Sequence, residues 1–171
     1  APWTPHFRME SYVTRDLIAL IDANFPVIEG RRGLSGHSMA GHGALTLAMN
    51  HPQLYRSVSA FAPISSPTRC PWGEKALTAY LGPDRSVWER HDASRLLADG
   101  KGRPFDDILV DQGLGDQFLD SQLNPHLLEE AATAAGQKLT LRRHDGYDHS
   151  YYFMQSFIND HLRFHAARLK A

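Results

Sequence analysis

Gly36-His37-Ser38-Met39-Ala40-Gly41 is the stretch that decides the fold. It lies between Arg32 to Gly36, a short run that reads as a strand, and Met39 to Met49, which is rich in Ala, Leu and Met. The latter reads as a helix ended by Asn50-His51-Pro52. The hexapeptide fits the nucleophile-elbow pattern G-x-S-x-G, with Ala40 in place of the last Gly. In such an elbow the serine sits on a strained strand-to-helix turn, and bulky residues two positions to either side would strike neighbouring backbone. Gly36 and Ala40 are both small. Gly41 and Gly43 thin the start of the helix, so that it can pack close to a strand. The turn places the Met39 N–H at the helix N-terminus, aimed at a developing oxyanion. The alternative reading is a plain Gly/Ser-rich turn before a helix.

Outward from the elbow, strand-like and helix-period segments alternate. Upstream, Tyr12 to Phe25 carries Val13, Leu17, Leu20 or Ile21, and Phe25 at helical spacing, and Pro26 stops the run. Downstream, Ser57 to Ala62 reads as a second strand closed by Pro63. Pro63 to Gly82 mixes Pro and Gly with aromatics and reads as an irregular excursion, and Val87 to Leu97 as short helix. Asp107 to Gln112 is a third strand centred on Ile108-Leu109-Val110. Leu123 to Ala135 is an amphipathic helix with Leu123, Leu127, Leu128, Ala131 and Ala135 on one stripe, stopped by Gly136. Lys138 to Arg143 is a fourth strand. Ser150 to Leu169 is a closing helix carried by Phe153, Phe157, Ile158, Leu162, Ala166 and Leu169. This alternation argues for an α/β fold with a mainly parallel sheet flanked by helices. In such sheets the chemistry sits in loops at the carboxyl ends of strands.

The loop after the third strand is Gly113-Leu114-Gly115-Asp116-Gln117-Phe118. A carboxylate there stands where the acid member of a catalytic triad belongs. Asp111, within the strand end, and Asp120, flanking a helix, compete with Asp116, and each also reads as an ordinary turn or cap residue. The loop after the fourth strand is Asp145-Gly146-Tyr147-Asp148-His149-Ser150. The chain has 10 His residues, and His149 stands apart because it lies in a Gly-containing loop before the final helix. His144, at the strand end, is the nearest alternative. His37 adjoins Ser38 on the elbow and cannot readily reach its Oγ. The order Ser38, Asp116, His149, each after a separate strand, is that of α/β-hydrolases and differs from the other common serine-hydrolase orders. A Ser hydroxyl is a weak nucleophile at its free pKa and needs a base. His149 is placed to take its proton and deliver it to the leaving group. Asp116 is placed to orient the imidazole and stabilise its charged form.

The composition narrows the rest. At 171 residues, with 42% hydrophobic and 22% charged, the chain reads as a single globular domain over 1–171 that needs no staple to hold a core. Its 18 Lys+Arg against 19 Asp+Glu imply no basic face, so nucleic acid is excluded as a first partner. No apolar run approaches the ~20 residues needed to span a bilayer, so no membrane span is expected. The single cysteine, Cys70, excludes an internal disulfide framework and a cysteine-clustered zinc site. It is consistent with a reducing cytoplasm and reads as an inert buried hydrophobe. Gly41-His42-Gly43 lacks the third Gly of a dinucleotide fingerprint and lies inside a helix. The chain opens Ala1-Pro2-Trp3 without Met and without a signal-peptide pattern, and is expected to be processed, cut or partial.

Taken together, Gly36 to Leu45, Ser57-Val58-Ser59-Ala60-Phe61-Ala62-Pro63-Ile64, Cys70-Pro71-Trp72-Gly73, Asp116-Gln117-Phe118-Leu119 and Gly146 to Phe153 resemble the S-formylglutathione hydrolases, the esterase D family. Ser11-Tyr12-Val13-Thr14, Ala23-Asn24-Phe25-Pro26 and Asp111-Gln112-Gly113 extend the likeness over nearly the whole chain. The resemblance implies an α/β-hydrolase fold and a cytosolic serine thioesterase and carboxylesterase. Its reaction converts S-formylglutathione to glutathione and formate, a step of formaldehyde detoxification. It carries the nucleophile, acid and base onto Ser38, Asp116 and His149, and the oxyanion donor after the nucleophile onto Met39. Trp72 and His37 are carried as substrate-pocket residues. No cofactor and no metal ion are called for. Members often form homodimers. Ala40 departs from the family's usual Gly, a small change expected to be tolerated. The resemblance also implies that roughly a hundred residues precede Ala1 in members, with the first half of the sheet and the loop giving the second oxyanion N–H. An acyltransferase on the same scaffold, and a piece silent by itself, are the competing functions.

Overall fold

The structure is a computed structural model that describes residues 2–3 and 5–170. Ala1 and Ala171, the ends of the expected domain, and Thr4 lie outside the described residues. The first helical run consists of α1 (Met9–Ser11), a π turn over Tyr12–Asp16, and α2 (Leu17–Asn24). Phe25 is extended, at φ −128°, because the residue before a proline is pushed out of the helical region. Then follow β1 (Gly33–His37), α3 (Met39–Asn50), β2 (Ser57–Phe61), α4 (Pro71–Leu81) and α5 (Ala93–Ala98). The remainder is β3 (Ile108–Gly113), α6 (Pro125–Ala135), β4 (Leu139–His144) and α7 (Tyr151–Lys170). The four strands form one sheet in the order β1-β2-β3-β4, and each neighbouring pair is parallel. All four carboxyl ends therefore face the same rim, where the loops after β1, β3 and β4 meet.

Two expectations change. The excursion Pro63 to Gly82 contains the eleven-residue helix α4. Its two apparent breakers are in fact terminal signals. Pro71 occupies the first turn, where its missing N–H is harmless, and Gly82 at φ 91° forms the C-cap. The Cys70 Sγ caps the N-terminus by accepting the Gly73 N–H at 3.4 Å. The segment before α4 is pinned by the buried Asp92 carboxylate, which accepts from the Ser66 hydroxyl at 2.7 Å and the Thr68 N–H at 3.1 Å.

The second change concerns α7. Ile158 and Leu162 are exposed, whereas Phe153 and His161 are buried. Alternation along the strands explains this. Val58 and Ala60 of β2, with Ile108 and Val110 of β3, pack with Leu45, Met49, Leu97 and Leu128 in an apolar core. The opposite face of the same strands carries Ser57, Ser59 and Asp111, all buried, and α7 answers with polar groups. The His165 ring spans the Ser57 Oγ (Nδ1, 2.7 Å) and the Ser59 Oγ (Nε2, 2.8 Å). A neutral imidazole, one donor and one acceptor, fits that pair of hydroxyls. The His161 Nδ1 lies 2.8 Å from the Ser59 Oγ and its Nε2 3.2 Å from the Asp111 Oδ2. Arg142 of β4 donates to both Asp111 oxygens at 2.6 Å and to the Asp160 carboxylate at 2.8 Å.

This network is expected to make the fold acid-labile in two stages. Burial, with His161 and Arg168 nearby, pushes the His165 imidazole down from 6.5 to about 4. Between those values the unfolded chain binds a proton that the folded one does not, so stability falls as pH drops through that window. Burial pushes the Asp111 carboxyl up, but hydrogen bonds from His161 and Arg142 outweigh it and hold the group at about 2, against 3.8. Its stabilisation is present above 3.8 and is lost as pH falls toward about 2. Urea midpoints measured from pH 7 downward should decline first in the histidine window and again in the carboxylate window. His165→Asn should flatten the first decline and leave the second.

Candidate active site

Ser38 is the corner between β1 and α3. Its φ of 57° and ψ of −119° place a non-glycine residue in strained backbone space, a conformation that costs ~1–3 kcal/mol. The surroundings over-determine it. The Ser38 N–H donates to the Phe61 carbonyl of β2 at 2.9 Å, and the Ser38 carbonyl accepts from the His42 N–H at 2.9 Å. A Cβ at Gly36 would stand 2.2 Å from the Ala40 carbonyl oxygen, and one at Gly41 would stand 3.1 Å from the Phe61 carbonyl oxygen. Both small positions are thus required by close approach. Gly43 is not, since a Cβ there meets nothing within 4 Å. Ala40 itself is exposed, which accommodates its methyl group. Gly36→Ala should force the elbow open and destabilise the fold by ~1–3 kcal/mol with loss of turnover. Gly43→Ala should stabilise α3 by ~0.5–1 kcal/mol. Thermal midpoints of the two variants check both signs.

The loops after β3 and β4 are stitched together by backbone. The Leu114 N–H donates to the His144 carbonyl and the Gly115 N–H to the Tyr147 carbonyl, both at 2.9 Å. A Cβ at Gly113 would fall 2.3 Å from the Tyr147 carbonyl oxygen, so glycine permits this contact. The result brings Asp116 to His149. The Asp116 Oδ2 lies 2.5 Å from the His149 Nδ1, and its Oδ1 accepts the Phe118 N–H at 2.8 Å in an Asx-type turn. The Asp116 side chain has no exposure, whereas that of His149 keeps 15%. A fully buried acid behind a partly open imidazole is the arrangement a base needs.

The alternative residues lie in other surroundings. Asp111 is held by Arg142 and His161. Asp120 is exposed in a π turn over Leu119–Leu123. The His144 ring stacks on Phe157 with centroids 3.7 Å apart.

Of the remaining expected residues, His37 lies against His149, with the two rings 4.4 Å apart. Burial and the neighbouring His149 keep its imidazole below the usual histidine range, against a smaller opposite pull from Asp116. Met39 opens α3, where the first N–H groups of a helix have no intrahelical acceptor. Trp72 packs against the cluster that holds Phe61 and Phe153 and approaches His42, one turn beyond Ser38, with the two rings 6.5 Å apart. Its backbone N–H is held by the Gln122 Oε1 at 2.9 Å.

The residue that sequence reasoning passed over is Phe118. Its N–H fixes Asp116, and its ring meets His149 edge-on at 5.1 Å. An aromatic two positions beyond a loop Asp was the available signal. Among the described residues, no group of three or more His, Cys, Asp or Glu is placed to hold a metal ion, and no helix is long and apolar enough to cross a membrane.

A parallel sheet with a strained serine elbow after β1, and a carboxylate–imidazole pair from the loops after β3 and β4, defines an α/β-hydrolase fold. The chain belongs to the esterase family described as "Putative esterase", whose profile matches residues 1–164. Curated relatives include an S-formylglutathione hydrolase of Paracoccus denitrificans, 53% identical over 169 residues, and one of Rattus norvegicus, 52% identical over 171 residues. Each match takes in 99% of this chain and 60% of the relative, so the chain spans about three-fifths of the length of these relatives. Among solved structures, an S-formylglutathione hydrolase from Agrobacterium tumefaciens superposes with a TM-score of 0.94 at 50% identity. That match covers 98% of this chain and 60% of the other. A ferulic acid esterase, at 23% identity and a TM-score of 0.78, over 97% of this chain and 63% of the other, shares the fold.

Proposed function

We propose that this chain bears the catalytic triad of a serine thioesterase that cleaves S-formylglutathione to glutathione and formate. The observation that carries the reading is the 2.5 Å contact between the Asp116 Oδ2 and the His149 Nδ1, on the rim where the Ser38 elbow opens. His149 takes the Ser38 proton through Nε2 while Asp116 holds the proton on Nδ1. The Ser38 Oγ attacks the formyl carbon and the carbonyl becomes an oxyanion facing the Met39 N–H. When that intermediate collapses, the C–S bond breaks. His149 hands its proton to the departing glutathione sulfur, leaving a formyl ester on Ser38. Water, deprotonated by His149, then attacks the ester and releases formate. Ser38 recovers its proton from His149. The resemblance supports Trp72 as a residue of the substrate pocket.

The assay is free formate released from S-formylglutathione, read against formyl transfer to an added alcohol. Formate as the main product supports hydrolysis; the formyl ester of the alcohol as the main product would make the chain an acyltransferase. The resemblance implies a second oxyanion donor beside the Met39 N–H, and losing one donor of an oxyanion hole costs roughly 100- to 1000-fold in turnover. The same resemblance supports a cytoplasmic enzyme and a homodimer, which cell fractionation and sedimentation would check.

A further inference from the structure

We propose that His37 is a positioning residue that, together with the Phe118 ring, fixes the plane of the His149 imidazole. The proposal rests on the reading of His149 as the base. His149 sits on a loop beyond the last strand, next to Gly146 at φ 75°, and not on a strand or helix. The contact with Asp116 fixes where its Nδ1 lies, yet one hydrogen bond leaves the ring free to turn about that point. Catalysis needs more, because the Nε2 must address first the serine oxygen and then the leaving sulfur.

Two rings supply the missing constraint. His37 packs tilted against His149, with centroids 4.4 Å apart and planes at 41°. Phe118 meets the same ring at 5.1 Å and 79°. His37 is itself held firmly, being the last residue of β1, paired in register with Phe61 of β2. The two imidazoles thus come from the end of β1 and from the loop after β4, and meet over the rim of the sheet.

The chemistry of His37 suits a packing role. Its Nε2 is buried and has no hydrogen-bond partner among the described residues. The groups that face the ring are His149, Asp116 and, at 6.4 Å, the Tyr151 ring. Burial and the neighbouring His149 both hold the imidazole down toward its neutral form. A neutral ring is required, since a charged one would stand beside the imidazole that becomes positive in each turnover.

The test compares His37→Ala, His37→Phe and the native chain by steady-state kinetics and by the proton resonance of the His149 Nδ1–H. His37→Ala is expected to lower kcat by about 10- to 100-fold with KM little changed, the scale of a slightly misplaced catalytic group. The downfield Nδ1–H signal should broaden or move. His37→Phe, which restores a flat uncharged ring, should recover most of kcat and the native signal. Native kcat and signal in His37→Ala would overturn the proposal. So would failure of His37→Phe to rescue, because the role would then belong to an imidazole nitrogen. If His37→Ala does not fold, Phe118→Ala removes the second ring, and native kcat with a native signal in that variant overturns the proposal equally. Full turnover in His149→Ala would instead refute the assignment of the base.

Discussion

Ser38→Ala is expected to lower hydrolysis of S-formylglutathione by on the order of 10⁴- to 10⁶-fold while the chain stays folded. The loss should be this large because, on the proposed reading, the hydroxyl forms the bond that splits one hard displacement into two easier ones. The fold should survive because the elbow is held by backbone. The Ser38 N–H on the Phe61 carbonyl and the His42 N–H on the Ser38 carbonyl persist with any side chain. Alanine is no more strained at φ 57° than serine. Circular dichroism and the thermal midpoint should match those of the native chain, and residual turnover should be insensitive to Asp116→Asn.

Asp116→Asn in the native background is expected to lower kcat by about 10⁴-fold. The substitution nearly preserves shape. The new amide oxygen can keep the Phe118 N–H that the Asp116 Oδ1 accepts at 2.8 Å. The amide nitrogen then faces the His149 Nδ1 as a donor, so the imidazole must carry its proton on Nε2. In that tautomer it has no lone pair for the Ser38 hydroxyl. The buried carboxylate, with its side chain fully shielded, also ceases to stabilise the imidazolium. KM should change far less than kcat, since substrate binding does not require the tautomer. Single-turnover measurements that separate formate release from binding check this. A kcat within tenfold of native would remove Asp116 from the triad and return Asp111 and Asp120 to consideration.

Much of this arrangement was legible in the residues because local and tertiary demands agree. The small-residue pattern around Ser38 reflects a real backbone approach, 2.2 Å from a Gly36 Cβ to the Ala40 oxygen. Strands β2 and β3 stand out because they are buried on both faces. What stayed hidden depended on context. Helix α4 reads as irregular because Pro71, in its first turn, and Gly82, its C-cap, resemble breakers. On α7, apolarity marks the buried Phe153 but also the exposed Ile158 and Leu162, because His161 and His165 are the residues that meet the polar Ser57–Ser59–Asp111 side of the sheet. In the sequence Asp116 and Asp111 differ only in their position relative to the strand, and the Arg142 and His161 contacts show why Asp111 is occupied. The rings around His149 come from β1 and from the loop after β3, distant in the chain, so no spacing rule could pair them.

The most direct test of the central claim is covalent. Treating the purified chain with a fluorophosphonate and mapping the adduct by peptide mass spectrometry reports which side chain is the activated nucleophile. A single adduct on Ser38, slowed strongly by His149→Ala and by Asp116→Asn, is the predicted result. Labelling of another residue, or labelling of Ser38 at an unchanged rate in those two variants, would contradict it.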